Sequence, residues 1–600
     1  MTRWGRALDP EHVLPEHPRP QLERDSWLNL NGWWDHAVTG LDAAPPVEWE
    51  GRILVPFSPE APLSGVGRQT GPDELLWYHR EVTLPDGFAG PDGRLLLHFG
   101  AVDQTCTVWV DGVEIGAHHG GYLPFTLDLT EVVSTSSTSR DGSTTRPFDV
   151  VVRVRDLSNN RGPSSGKQRL ARGGIWYTAQ SGIWQTVWLE AVPRTYVERL
   201  VLVPQLDEDA VDVLVVPAGE GGALPDHATV RVLSDGAVVG GGEAAPGTPL
   251  RVALSDVRPW SPEDPHLYDV EVELGEDRVR SYVGLRSFGV GTGDDGVPRL
   301  LLNGRPYLHL GVLDQGYWPD GLMTPPSDEA MVHDITTMKR LGFTMLRKHL
   351  KVEPLRWYAH CDRIGMLVWQ DMVNGGERYR TAAVTWPGRM PIRLRDDRYA
   401  LLGRADPAGR EEFRAEVRET VEHLRNVTSL AVWVPFNEGW GQFDAVAVAA
   451  EVRALDPTRS VDHASGWHDQ GAGDLWSLHL YGRSFRSPRR RPGERRVLAL
   501  TEYGGYDLTV AGHTWGPEHF GYRHFDSAHS LGEAFRRLHD DELAPAVPGG
   551  LSATVYTQLS DVEDEVNGLL TYDREVHKLP DQLVREVLAR LYAGFRRVTQ

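Results

Sequence analysis

Six hundred residues exceed what one hydrophobic core organises, so the chain is expected to divide into about three or four domains. The formal net charge of −22 argues against nucleic acid and anionic membranes as partners, and 40% hydrophobic with 24% charged residues is ordinary soluble globular composition. Cys106 and Cys361 are too far apart to suggest a disulfide framework or a thiolate metal site. No apolar leader follows Met1, and no apolar run is long enough to span a bilayer, so a cytoplasmic protein is expected.

Residues 1–25 are rich in proline and charge and read as an arm lying on the first domain. From Trp27 short strands follow between turn signals: Ile53–Phe57, Trp77–Leu84, Arg94–Phe99, Thr105–Val110, Val150–Val154 and Thr186–Glu190. Asp111-Gly112 marks a hairpin, and the polar stretch Ser134–Thr145 reads as a low-complexity loop. Residues 1–193 therefore predict a jelly-roll β-sandwich. Residues 194–292 carry a second set of alternating strands, Val197–Val203, Ala210–Val216, Thr229–Leu233, Leu267–Leu274 and Arg278–Val283, which suggests an immunoglobulin-like sandwich.

From residue 293 to 600 buried strands alternate with helical runs such as Asp328–Leu341 and Arg410–Leu424. The candidate strands are Tyr307–Val312, Thr344–Lys348, Met366–Gln370, Leu430–Phe436, Arg459–His463, Leu475–Leu480, Arg496–Leu500 and Ala553–Gln558. Eight of them predict a (β/α)8 TIM barrel, whose functional groups gather at the C-terminal ends of the strands.

Two of these ends carry chemistry. The apolar run from Leu430 stops at Asn437-Glu438-Gly439, and Arg496–Leu500 stops at Thr501-Glu502-Tyr503-Gly504, 64 positions after the first glutamate. A pair of acids at strand ends is what cleavage of a glycosidic bond needs, one protonating the leaving oxygen while the other attacks the anomeric carbon or activates water. Twenty tryptophans, among them Trp176, Trp369, Trp440 and Trp515, fit the same chemistry, because sugar rings stack their C–H faces on aromatics. Those before residue 300 are assigned to sandwich cores.

Several motifs carry a resemblance. Trp27-Leu28-Asn29-Leu30-Asn31-Gly32-Trp33-Trp34, Trp77-Tyr78-His79-Arg80, Val108-Trp109-Val110-Asp111-Gly112, Gly120-Gly121-Tyr122-Leu123-Pro124-Phe125 and Ser181-Gly182-Ile183-Trp184-Gln185 resemble the sugar-binding domain of glycoside hydrolase family 2. That family includes β-galactosidases, β-glucuronidases and β-mannosidases. Tyr282-Val283-Gly284-Leu285-Arg286 resembles the strand leaving its second domain, so the likeness covers the whole chain in the family's domain order.

The resemblance implies a retaining exo-β-glycosidase with Glu438 as acid/base and Glu502 as nucleophile. It assigns Asn437 to the sugar 2-hydroxyl and Tyr481, in His479-Leu480-Tyr481, to the nucleophile. Arg347, His349, Asp371, Trp369, His479, Trp515 and Asp314 are further substrate-binding candidates. Lys348 stands where relatives have serine, in Arg347-Lys348-His349. The acids of Thr557–Gly568, in the family's barrel-closing segment, are read mainly as structural.

Asp396–Glu422 offers no glutamate–histidine pair for the magnesium of the galactosidases, so neither metal nor cofactor is expected. Asn567-Gly568-Leu569 lacks the lysine of the glucuronidases, which weakens a uronide substrate. The expected partner is a carbohydrate, a galactose-configured sugar first, and the resemblance adds a homo-oligomer. The alternatives are another family specificity (β-galactofuranoside, α-L-arabinoside, β-glucuronide or β-mannoside), transglycosylation, or a non-catalytic carbohydrate-binding protein. Arg486, Arg489, Arg490, Arg491, Arg495 and Arg496 lie between the motifs of Tyr481 and Glu502; a charge run of this kind is expected to be solvated, and the alternative is that it rims the pocket and meets an anionic or branched glycan.

Overall fold

The computed structural model describes residues 1–89, 93–136, 147–158, 164–219, 224–293, 295–377, 379–384, 393–490 and 492–599. The loop expected at Ser134–Thr145 lies outside the described residues from 137 onward, and Arg491 lies outside them too.

The first unit is a two-sheet sandwich. A four-stranded sheet orders Trp27–Asn29, Val187–Val192, Arg94–Phe99 and Phe125–Asp128. A six-stranded sheet orders Gly51–Val55, Gly32–Gly40, Glu74–Val82, Phe148–Arg155, Thr105–Val110 and Val113–His119. Alternate side chains of Phe148–Arg155 are buried, the period of two that faces one side of a strand to a core. Asp111 and Gly112 both take positive φ, 47° and 78°, which is the requirement of the two-residue turn joining the last two strands. The second unit pairs a three-stranded sheet (Thr195–Gln205, Ala210–Gly219, Leu250–Ala253) with a four-stranded one (Ala237–Ala244, Ala228–Ser234, Tyr268–Leu274, Asp277–Val283) around its own core.

The third unit is the barrel. Its strands are β1 (His309–Asp314), β2 (Met345–Lys348), β3 (Leu367–Asp371), β4 (Leu430–Val434), β5 (Ser460–Val461), β6 (Leu475–Tyr481), β7 (Val497–Gly504) and β8 (Leu551–Thr557). They form one parallel sheet in the order β5-β4-β3-β2-β1-β8-β7-β6, and the amide of Asp474 donates to the Val461 carbonyl at 2.8 Å where β5 meets β6. All eight overlap their expected positions, and β7 runs on to Gly504, so Glu502 sits within its strand. Helix α1 (Asp328–Leu341) is capped by Ser327, whose hydroxyl accepts from the Ala330 amide, and stops at Gly342 with φ 100°. Helix α2 (Pro407–Leu424) starts before the expected Arg410 because Asp406 caps it and Pro407 suits the first turn.

Leu300 and Leu302, from the strand Pro298–Leu302, pack with Leu313, Met345, Leu367, Val432, Ala499 and Val555 from the barrel lumen. This strand, paired antiparallel with Phe288–Thr292, plugs the end opposite the strand C-termini. The immunoglobulin-like sandwich docks on the barrel through Asp362, whose carboxylate accepts from the Tyr282 hydroxyl at 2.9 Å and whose carbonyl accepts from the Trp260 indole at 2.8 Å. Among the described residues no helix is long and apolar enough to cross a membrane.

The N-terminal arm departs from expectation, because it touches all three units. The Thr2 hydroxyl donates to Asp320 on the barrel at 2.6 Å, and Glu23 pairs with Arg280 on the second sandwich. Arg24, 3% exposed, donates to Asp277 at 2.8 and 2.9 Å and to Glu190 of the first sandwich at 2.8 Å. Removing one member of a buried ionic cluster costs about 3–5 kcal/mol, because a charge is left uncompensated. Arg24→Ala is therefore expected to lower the urea midpoint of the sandwich transition, and an unchanged midpoint would refute a load-carrying role for Arg24.

Candidate active site

Strand β2 alternates: Met345 and Arg347 point into the lumen, and Leu346 and Lys348 point outward. Arg347 is fully buried. Its Nε and Nη2 donate to the two oxygens of Asp371 at 2.9 Å each, and Nη2 also donates to Asn437 Oδ1 at 2.9 Å. Nη1 donates to the Thr501 carbonyl at 3.0 Å and to Glu502 Oε1 at 3.3 Å. One guanidinium thus ties together the ends of β2, β3, β4 and β7, and its rigid fork suits a bidentate carboxylate.

Glu438 sits just beyond β4, where Asn437 bridges to Ser465 and the Glu438 amide donates to the Ser465 carbonyl at 3.0 Å. Its backbone is left-handed, φ 50°, a conformation that costs a non-glycine residue about 1 kcal/mol or more. Gly439 follows at φ 72°, and a Cβ there would lie 2.4 Å from the His468 ring. The turn that presents Glu438 is therefore built for glycine next to it.

Oxygens of Glu438 and Glu502 and Nδ1 of His479 lie within 4.8 Å of one another. The Tyr481 hydroxyl donates to Glu502 Oε2 at 2.6 Å, and His479 Nδ1 is 2.9 Å from Glu438 Oε1. Among the described residues no other three histidine or carboxylate donors come so close, and here hydrogen bonds fill the space between them. Burial pushes the Glu438 carboxyl up to about 7, against Lys167 and Arg347 and with help from Glu565. Burial also raises Glu502, where Arg347 and the Tyr481 hydroxyl oppose the rise. The two acids thus have unlike surroundings, one short of donors and one supplied with them.

The first sandwich closes the barrel's C-terminal face. Amides of Ser165 and Gly166 donate to the Asn374 carbonyl at 2.9 and 3.0 Å, and the Tyr177 hydroxyl donates to Glu565 at 2.5 Å. The Thr178 amide donates to Glu563 at 3.1 Å, so acids of the Thr557–Gly568 segment are docking partners. Lys167 Nζ, brought in by this segment, lies 3.9 Å from Glu565 and 5.9 Å from the Trp440 ring centre. Trp176 packs on Trp440 at 5.1 Å, and Tyr522 stacks on Tyr481 at 3.9 Å.

Three family models match the chain in order. "Glycosyl hydrolases family 2, sugar binding domain" matches residues 67–141, "Glycosyl hydrolases family 2" residues 195–286, and "Glycosyl hydrolases family 2, TIM barrel domain" residues 299–485. The chain belongs to glycoside hydrolase family 2. A β-galactosidase of Klebsiella pneumoniae (strain 342) is 26% identical over 561 residues, covering 82% of this chain and 50% of the relative, so the chain spans about half the length of that curated relative. A β-D-glucuronidase of Dictyoglomus thermophilum superposes with a TM-score of 0.72 at 16% identity, covering 95% of this chain and 98% of that one. A β-galacturonidase of Eisenbergiella tayi does so with a TM-score of 0.68 at 18% identity, covering 95% and 97%. These two likenesses show the fold.

Of the family 2 candidates, Arg347, Asp371, Asn437, Glu438, His479, Tyr481, Glu502 and His349 come together. His349 Nδ1 lies 3.0 Å from Gln315 Oε1, while its Nε2, 3.7 Å from both Asp371 and Glu502, and the Asn437 Nδ2 are buried without a hydrogen-bond partner among the described residues. Two expectations and one alternative are corrected. Asp314 lies on the outer face of β1 and accepts from Lys348 Nζ at 2.7 Å, because both residues are one step out of phase with the lumen. Trp369 faces the lumen but one layer below Asp371, fully buried, its indole donating to His309 Nδ1 at 2.9 Å. The arginine loop turns back to the plugged end: Arg490 approaches Gly550 ahead of β8, and Arg496 pairs with Asp469 and Glu494. Trp515 packs edge-on against Tyr572 at 5.6 Å.

Lys167 and Tyr522 went unnoticed in the sequence, because each sits in a loop with no motif around it. Trp176 and Trp440 carried only the general tryptophan signal, and the first was assigned to a sandwich core.

A carboxyl raised on folding favours the protonated state, so its contribution to stability is complete below the unfolded value and is lost as pH rises through the folded one. For Glu438 that window runs from 4.5 to about 7. Glu438→Gln removes the term. It is expected to match the native protein near pH 4.5 and to exceed it at pH 8 by up to ~3 kcal/mol in urea denaturation. Equal stability at both pH values would count against the raised carboxyl.

Proposed function

We propose that this chain is a retaining exo-β-glycosidase that releases terminal non-reducing sugars, with a galactose-configured substrate as the first choice. The observation that carries the reading is the approach of Glu438 and Glu502 to within 4.8 Å at two strand ends. Retaining enzymes hold their carboxyls about 5–5.5 Å apart, whereas inverting enzymes leave room for a water at about 6.5–9.5 Å. Glu502, supplied with hydrogen bonds by Tyr481 and Arg347, is the nucleophile that bonds to the anomeric carbon. Glu438, held near neutrality, protonates the departing oxygen and then takes a proton from the water that hydrolyses the glycosyl ester. Asn437 Nδ2, a buried donor without a hydrogen-bond partner among the described residues, and His349 Nε2, beside Asp371 and Glu502, receive sugar hydroxyls. The first sandwich covers the strand ends and supports action at chain termini.

A uronide is the second reading, favoured by Lys167, a cation 5% exposed and close enough to Glu438 and His349 to act on both electrostatically. The carboxylates of Glu438, Glu502 and Glu565 crowd the same space and disfavour a further anion.

A panel of p-nitrophenyl glycosides tests this directly: β-galactopyranoside, β-galactofuranoside, β-glucoside, β-mannoside, β-glucuronide, β-galacturonide and α-L-arabinoside. One or two should be cleaved, with Glu502→Gln reduced to background. Glu438→Ala should lose about 10²–10⁴-fold on substrates with poor leaving groups and regain activity with azide. Turnover by Glu502→Gln at the native rate, or silence of the native protein on all seven, would defeat the proposal. Lys167→Met sorts the two readings: a loss confined to uronides favours the second, and an even rise in KM favours the first.

A further inference from the structure

We propose that His479 is a positioning residue for Glu438: its Nδ1 lone pair accepts the acid's proton at rest, and a hydroxyl chain behind the ring fixes the tautomer that leaves Nδ1 free to do so. This rests on the glycosidase reading above and assigns a role beyond sugar contact to a histidine at the end of β6. The chain can be followed donor by donor. Thr501 Oγ1 donates to the Leu478 carbonyl at 3.3 Å, and Ser465 Oγ donates to Thr501 Oγ1 at 2.9 Å. Ser465 has a single proton, so its oxygen can only accept at the 3.1 Å contact with His479 Nε2. Nε2 then carries the ring proton. Nδ1 is left as an acceptor 2.9 Å from Glu438 Oε1, where only a protonated carboxyl can donate.

The surroundings keep this arrangement in place. Arg347 Nη1 also points at Nε2, at 3.5 Å, but this is the longest of its three contacts, after the Thr501 carbonyl and Glu502, and the 3.1 Å bond with Ser465 outweighs it in setting the tautomer. The ring is buried, and burial drops its affinity for a second proton to about 3, so it stays neutral at working pH. His479 Nδ1 lies 3.6 Å from Glu502 Oε2. Glu438 also faces Lys167 from the first sandwich, Arg347 from β2, Tyr481 from β6, Glu502 from β7, Tyr522 from the loop after it and Glu565 from the segment after β8. Of the groups around it, His479 is the one bonded to its side chain.

The chemistry follows from what Nδ1 meets before and after transfer. At rest the bond to Nδ1 stabilises the acid form of Glu438 and aims its O–H. Once the proton has passed to the leaving oxygen, a lone pair faces a carboxylate, so the new base is eager to take a proton from water in the second step. No bond changes at His479 itself. A hydrogen bond to the neutral form of an acid raises its pKa, and one net bond is worth about one pH unit.

Two measurements test it. In the pH profile of kcat/KM, His479→Phe should move the basic limb down by about one unit, Ser465→Ala should move it the same way by less, and His479→Asn, whose carbonyl can accept at the Nδ1 position, should restore it. A limb that stays put, or moves up, in His479→Phe overturns the proposal, whatever happens to kcat or Tm. The second measurement needs no substrate: in protein labelled with ¹⁵N-histidine, the signal that disappears in His479→Asn should be a neutral ring protonated at Nε2 at pH 5 to 6, where Glu438 keeps its proton. An Nδ1-protonated ring overturns the proposal. A native protein inert on every glycoside defeats the glycosidase reading, and the ¹⁵N tautomer still decides the His479 assignment.

Discussion

A single buried cation makes the site possible. Asp371, Glu502 and Glu438 enter the barrel mouth together, and isolated carboxylates in such a place would be neutralised or would drive the strands apart. Arg347 opposes this for Asp371 and Glu502 by donating to both, to Asn437 and to a β7 carbonyl, all from a position with no solvent exposure. A lysine could not replace it, because a point charge on a flexible stem cannot hold a bidentate partner and two further acceptors in one plane. The placement of Asn437, and through the Ser465 bridge that of Glu438, follows from where this guanidinium sits.

The eight strands and the two acids at their ends were legible because both signals are local. Each strand is a short apolar run, and each acid breaks such a run. Phase and depth were harder to read. Asp314 and Lys348 look like strand-end site residues, yet a shift of one position sends both to the outer face, where they neutralise each other. Trp369 is in phase but one layer too low, and layer depends on the shear of the barrel, which no short window encodes. The arginine-rich loop behaves as a solvated run, with Arg486, Arg489 and Arg495 exposed, rather than as a pocket rim: it leaves β6 at the catalytic end and returns to the start of β7 at the other, so its charges are spread along that path.

Long-range assembly was the least legible part. The first sandwich brings Lys167 and Trp176 to the barrel face, and the hydrogen bonds that hold them there join residues far apart in sequence, such as Tyr177 with Glu565. The N-terminal arm is similar, since Arg24 matters only because Glu190 and Asp277 converge on it from two other units. No periodicity announces such meetings; they follow from how the finished units fit together.

The docking of residues 164–178 on the barrel has a consequence for how such a chain diversifies. The groups that would break the bond stand at the ends of barrel strands, and Lys167 and Trp176 arrive beside them on a loop of a different domain. That loop can lengthen, shorten or change its charge without disturbing the packing beneath Arg347. Selectivity and bond-breaking can then drift at separate tempos, each under its own selection, within one gene.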